Sequence, residues 1–171
     1  MKKLLLILLS FILVANLCGC TSDDNHDAGA ISFYYLQDNI DFSATSPLLT
    51  NSVFKTKGTN QDLRSIFQHY LTSPAPDNCV SPFPPGTELI FLDVESNQAS
   101  VTLTEHIKSL PAVRQTIAYA CITKTLIELA GVNSVQIIIV DSDTDSQEVY
   151  NFTNDSFSYS DSFSISDLEN P

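Results

Sequence analysis

The chain has 171 residues, with 20 carboxylates against 8 Lys and Arg, for a formal charge of −12. So acidic a chain repels nucleic acid and anionic lipid headgroups, which excludes a nucleic-acid partner and a membrane held through a basic patch. It has five glycines and no G-x-G-x-x-G spacing, so nucleotide binding has no support.

Lys2 and Lys3 precede an apolar run over residues 4–17, broken only by Ser10 and Asn16. The run is shorter than the roughly 20 apolar residues of a spanning helix and has the layout of a signal peptide. It ends Leu17-Cys18-Gly19-Cys20. This resembles the lipobox of bacterial lipoproteins, in which a small residue precedes the cysteine that is lipidated. The resemblance implies that residues 1–19 leave and that Cys20 becomes the lipid-bearing N-terminus, modified with diacylglyceryl and an acyl chain such as palmitate. Two or three such chains hold firmly, each buried methylene adding about 0.8 kcal/mol. The expected location is the outer face of the bacterial cytoplasmic membrane. Loss of Lys2 and Lys3 moves the formal charge from −12 to −14.

Residues 20–30 are polar and acidic and read as a flexible tether. Residues 31–36 are β-branched and aromatic, hence a strand; a weaker strand is expected over 48–55. After Gly58, Thr59 with Asp62 three residues later forms a helix N-cap signature. Leu63, Ile66, Phe67, Tyr70 and Leu71 then recur at helical spacing, and the helix stops before Pro74. Residues 73–86 hold five prolines and must loop. A strand over 88–94, a turn at Glu95-Ser96-Asn97-Gln98, and the alternation of Ala99, Val101 and Leu103 with polar residues predict a β-hairpin. A second helix starts around Pro111, carries Ala118, Ile122, Thr125, Leu126 and Leu129 on one face, and ends at Gly131. Residues 135–140 are apolar apart from Gln136, as in a central strand.

The pattern β-β-α-β-β-α-β predicts an α+β fold, a mixed β-sheet with two helices packed on one face. The domain is expected over 31–145. An acidic, Ser-rich C-terminal segment follows over 146–171. Phe157, Tyr159, Phe163 and Ile165 keep odd-number spacing there, which fits an edge strand or a weakly ordered tail.

Three segments together resemble the GerMN domain family of bacterial sporulation and germination proteins and lipoproteins. They are Pro84-Pro85-Gly86-Thr87-Glu88-Leu89, Asn97-Gln98-Ala99-Ser100-Val101-Thr102-Leu103, and Thr125-Leu126-Ile127-Glu128-Leu129-Ala130-Gly131-Val132-Asn133-Ser134-Val135-Gln136-Ile137. The last is the most specific, and the resemblance spans about residues 31–142. Asn97-Gln98 and Asp141-Ser142 stand where the family often has Asp-Gly, which leaves the turn type open. The resemblance implies an envelope module for protein binding or assembly, with no established catalysis, and a link to sporulation or germination.

The residues themselves offer little chemistry. His26, His69 and His106 are scattered, with no two at metal-ligand spacing. There is no Gly-x-Ser-x-Gly elbow, and no carboxylate pair stands out for glycosidase work. Asp141, Asp143 and Asp145, with Glu148 beyond, alternate as calcium ligands can, but Ser146 and Phe152 stand where an EF-hand has Gly and Glu. A solvated loop is the plainer reading. Besides Cys20, the thiols Cys79 and Cys121 remain; outside the cytoplasm they form either a disulfide or two separate thiols, and sequence leaves both open.

The expectation is a membrane-anchored lipoprotein whose single non-catalytic module binds an envelope protein, with no cofactor. The alternative is a small-ligand or calcium-binding lipoprotein. A peptidoglycan hydrolase has only envelope location in its favour.

Overall fold

A computed structural model describes residues 30–38, 48–55, 62–142 and 144–157. At its centre two strands run parallel, β5 (Gln98–Thr104) and β6 (Ser134–Val140), in register from Gln98 opposite Ser134 to Thr104 opposite Val140. The period of two along both strands decides their faces. Ala99, Val101 and Leu103 point inward with Val135, Ile137 and Ile139, and all six are buried. Their polar neighbours, Ser100, Thr102 and Gln136, stay half-exposed.

Parallel strands need a crossover, and here the second helix supplies it. A short 3₁₀ segment (Glu105–Ser109) leads into α2 (Ala112–Ala130), entered through Pro111. The helix stops at Gly131, whose φ of 64° and ψ of 32° are left-handed. Glycine reaches that conformation without a Cβ clash. The first helix, α1 (Leu63–Thr72), buries Ile66, Phe67, Tyr70 and Leu71, the face its spacing predicts. Its N-cap is Asp62, whose carboxylate accepts from the Ser65 amide at 2.6 Å, and not Thr59, which lies outside the described residues. The Ser65 hydrogen bond holds the Asp62 carboxyl below its ordinary range.

The α+β class and the expected strand–helix order are present. Two strands are added, and the strands divide between two sheets. One sheet has the order β2-β1-β3, with β1 (Ala30–Gln37) between β2 (Leu49–Lys55) and the two-residue β3 (Cys79–Val80). The other has the order β4-β5-β6-β7, with β4 (Leu89–Glu95) and β7 (Gln147–Thr153) at its edges. All neighbouring pairs other than β5 with β6 are antiparallel. β3 interrupts the proline-rich loop and exists through its pairing with Leu36 and Gln37. The edge strand at Gln147–Thr153 lies upstream of the spaced aromatics. The Phe157 ring lies tilted against Phe152 at 4.8 Å, and residues 158–171 lie outside the described residues.

The division into two sheets explains how α2 is buried. Ile117 and Cys121 pack with Leu36 of β1, whereas Ala118, Ile122 and Leu126 join the core formed with β5 and β6. Thr125 ties the helix to β1, its Oγ1 accepting from the Tyr34 amide at 3.1 Å. Phe33 and Tyr35, on the opposite side of β1 from Tyr34 and Leu36, belong to the main core with Tyr70 and Phe83. β1 is thus covered on both faces, which is why its sequence is apolar at successive positions.

Candidate functional site

The most polar constellation gathers where β5 and β6 end side by side. Glu105 leaves β5, and its Oε2 accepts from both the amide and the hydroxyl of Ser142, each at 3.1 Å. Asp141 accepts from the Thr144 amide at 3.2 Å, and its own amide donates to the Ser146 carbonyl at 3.0 Å. Lys108 meets Glu148 at 2.5 Å, and the Tyr150 hydroxyl donates to the other Glu148 oxygen at 2.6 Å. These bonds set the titration. The Lys108 ammonium and then the Tyr150 hydroxyl hold Glu148 below its ordinary range, and the Ser142 amide does so for Glu105. Behind Tyr150, the Tyr119 ring lies 5.1 Å away, and burial pushes its hydroxyl well up.

This arrangement pins a loop. Glu105 and Asp141 direct carboxylate oxygens at backbone amides, the work of a turn. Asp145 sits at φ 53°, a left-handed conformation that Asp tolerates better than most residues. Of the calcium candidates, Asp141 and Asp145 are in this loop, and Asp143 lies outside the described residues. Among the described residues, no three His, Cys, Asp or Glu side chains gather closely enough to hold a metal.

Cys79 is half-buried on β3 and Cys121 is buried in α2, and both are free thiols in the structure. Burial raises both pKa values, Cys121 the more, so neither is poised as a thiolate nucleophile. His69 lies 2.9 Å from the Ser73 hydroxyl through Nδ1, a serine–histidine contact that sequence inspection missed. The Ser73 amide donates to the His69 carbonyl, so the pair closes the last turn of α1. The His69 ring leans on Phe54 at 5.0 Å. Cys20 and His26 lie outside the described residues.

The three sequence motifs hold the fold together. In the first, the Thr87 hydroxyl donates to the Pro84 carbonyl at 2.9 Å. Gly86 has φ 90°, and a Cβ there would come within 2.7 Å of the His106 ring. Thr104 Oγ1 donates to the Gly86 carbonyl and accepts from the Glu88 amide, clasping the start of β4 to the end of β5. At the start of the second, Asn97 and the preceding Ser96 take φ of 76° and 48°, so the hairpin turns through positive φ without glycine. In the third, Gly131 caps the helix, Val132 is buried, and the Asn133 amide reaches back to the Asn97 carbonyl at 3.1 Å.

A family model described as Germane, sporulation and spore germination, matches residues 32–144. The chain belongs to the Germane family. Among solved structures, the first GerMN domain of the sporulation protein GerM from Bacillus subtilis aligns at a TM-score of 0.51 and 10% identity. That alignment covers 65% of this chain and 82% of the other and shows a shared fold. A candidate lipoprotein from Clostridium perfringens aligns more loosely, at a TM-score of 0.38 and 17% identity, over 70% of this chain and 80% of the other. No curated protein matches the sequence. The Germane domain thus contains the motif residues, while the pinned loop at Asp141 and Ser142 sits at its downstream limit.

Proposed function

We propose that this Germane-family chain is a lipid-anchored envelope protein whose domain binds or assembles with another envelope protein and performs no catalysis, in a process related to sporulation or germination. One observation carries the reading. A family-matched domain over residues 32–144 follows, after a short polar stretch, a segment ending Leu17-Cys18-Gly19-Cys20. The acyl chains on Cys20 supply the membrane affinity that an acidic chain lacks. The domain then stands off the outer face of the membrane on residues 20–30. The motifs that mark the family serve as caps, clasps and turns, which favours a scaffold presenting surfaces over one built around a reacting centre. The Glu105 and Glu148 carboxylates are engaged in holding the loop after β6.

The test compares wild type with Cys20→Ala in a bacterial host by intact mass and membrane fractionation. Wild type is expected to carry the mass of a diacylglyceryl group and to sediment with membranes, and the variant to do neither. Release of both forms as soluble protein would sink the anchor. Crosslinking of the membrane-bound form then tests the binding role, which falls if no protein is joined to it.

A further inference from the structure

Two strands that are apolar at successive positions, β1 and β4, meet different surroundings. β1 has a strand on each side and side chains packed on both faces. β4, with Leu89-Ile90-Phe91-Leu92 and then Val94, is likewise apolar at successive positions, but among the described residues it pairs with β5 alone. Ile90 is 44% exposed, Phe91 51% and Val94 40%. A long apolar edge is the feature that stable monomers block with lysine, proline or a covering segment, because its open backbone groups template another strand. β4 has no lysine and no proline along its length. Its irregularity, a register shift between Leu89 and Phe91, lies at its beginning.

The faces of β4 specify what would lie beside it. Asp93 stands opposite Ser100 and Glu95 opposite Gln98, on the outer face of the sheet with Phe91. Leu92 and Val94 stand opposite the buried Val101 and Ala99, on the inner face. One face is therefore anionic with an aromatic ring, and the other is aliphatic. Arg64 of α1 donates to the Ile90 carbonyl at 2.8 Å, so α1 already fills the start of this edge and the open part is the rest of β4. From this geometry we infer that β4 accepts an extended segment of another protein as a fifth strand, with Lys or Arg alternating with aliphatic residues. Its cations lie across from Asp93 and Glu95, with their methylene stems along Phe91. Its aliphatic side chains extend the inner face beyond Leu92 and Val94. Main-chain hydrogen bonds supply the affinity and the alternating side chains the register. A second copy of this acidic chain fits less well, since it would bring further carboxylates to the same edge.

This deepens the reading of the domain as a binding module and rests on it. The probe is a short peptide alternating lysine and valine, added to the full chain in neutral detergent micelles and followed by hydrogen–deuterium exchange. The peptide is expected to slow exchange over Leu89–Glu95 and not over Gln147–Thr153, the opposite edge. Asp93→Asn combined with Glu95→Gln, both on the surface, is expected to weaken binding about tenfold with the fold unchanged by circular dichroism. A glutamate–valine peptide is expected not to bind. The inference is overturned if protection appears elsewhere or nowhere. It is equally overturned if a peptide of the same charge, N-methylated along its pairing edge, binds as well, because charge alone would then explain binding. Protection of β4 that grows with protein concentration and no peptide would make a second copy the occupant and also overturn it. Membrane crosslinks that avoid β4 would remove this edge and leave the binding module standing, whereas no crosslinks at all would remove the module itself.

Discussion

The two helices solve different packing problems. α1 covers its partners with one face: Ile66, Phe67, Tyr70 and Leu71 are buried, while Arg64, Ser65 and His69 stay exposed. α2 is enclosed over most of its middle, with every residue from Ile117 to Thr123 buried, because two sheets reach it from different directions. A surface helix needs an apolar stripe and tolerates change elsewhere. A helix between sheets has little tolerant surface, so small residues such as Ala118 and Ala120 matter as much as large ones.

The largest expected effect tests that enclosure. Ile122→Ala should lower stability by about 2–5 kcal/mol, and Ala120→Leu by about 1–3 kcal/mol through overpacking, as read by urea unfolding. Ser65→Ala on the open side of α1 should stay within about 0.5 kcal/mol. A well-tolerated leucine at position 120 would mean that one side of α2 is open. The helix ends come next. α2 ends at left-handed Gly131, whereas α1 ends at Ser73 in an extended conformation. Gly131→Ala should therefore lower stability by about 1–2 kcal/mol, with no steric clash adding to it, since nothing lies within 4 Å of the Cβ position. An unchanged denaturation midpoint would contradict the left-handed cap.

A gain is expected inside α2. The Thr123 hydroxyl is buried without a hydrogen-bond partner among the described residues. Thr123→Val removes that unmet group at nearly constant shape and should raise stability by about 1 kcal/mol. A loss would show that the hydroxyl is bonded in solution. The smallest effect belongs to the cap of α1. The carboxyl of Asp62 is held below its ordinary value of 3.8, so its contribution is present above that pH and is lost as pH falls through the folded value. Asp62→Asn should flatten this acid limb of the stability profile, and an unaltered limb would assign the acid sensitivity elsewhere.

The same contrast explains what was legible in the sequence. The spacing of Ile66, Phe67, Tyr70 and Leu71 gave the buried face of α1, because one face meets one environment. For α2, spacing picked out Ala118, Ile122, Thr125 and Leu126 but left the Ile117 and Cys121 side unmarked, since periodicity does not count the sheets around a helix. β3 was invisible because two residues beside prolines carry no strand pattern, and pairing with β1 alone makes them one. The apolar run of residues 88–94 was read as a strand, but composition could not tell an edge from a centre. Alternating aspartates suggested calcium, and only geometry shows Asp141 directing its carboxylate at a backbone amide in its own loop.

The hydrogen bond from the Tyr34 amide to Thr125 joins residues 91 positions apart. The first described strand is clad on one face by a helix made much later. Until that helix is synthesised, Tyr34 and Leu36 on one face lack their final cover, whereas Phe33 and Tyr35 on the other meet Phe54 and Tyr70 from earlier in the chain. A ribosome that stalls before residue 125 therefore yields a chain whose earliest described strand is bare on one face, a ready mark for chaperones and proteases. The molecule in effect checks its own progress: one face of its first described strand is safe only when the chain has been made past Thr125.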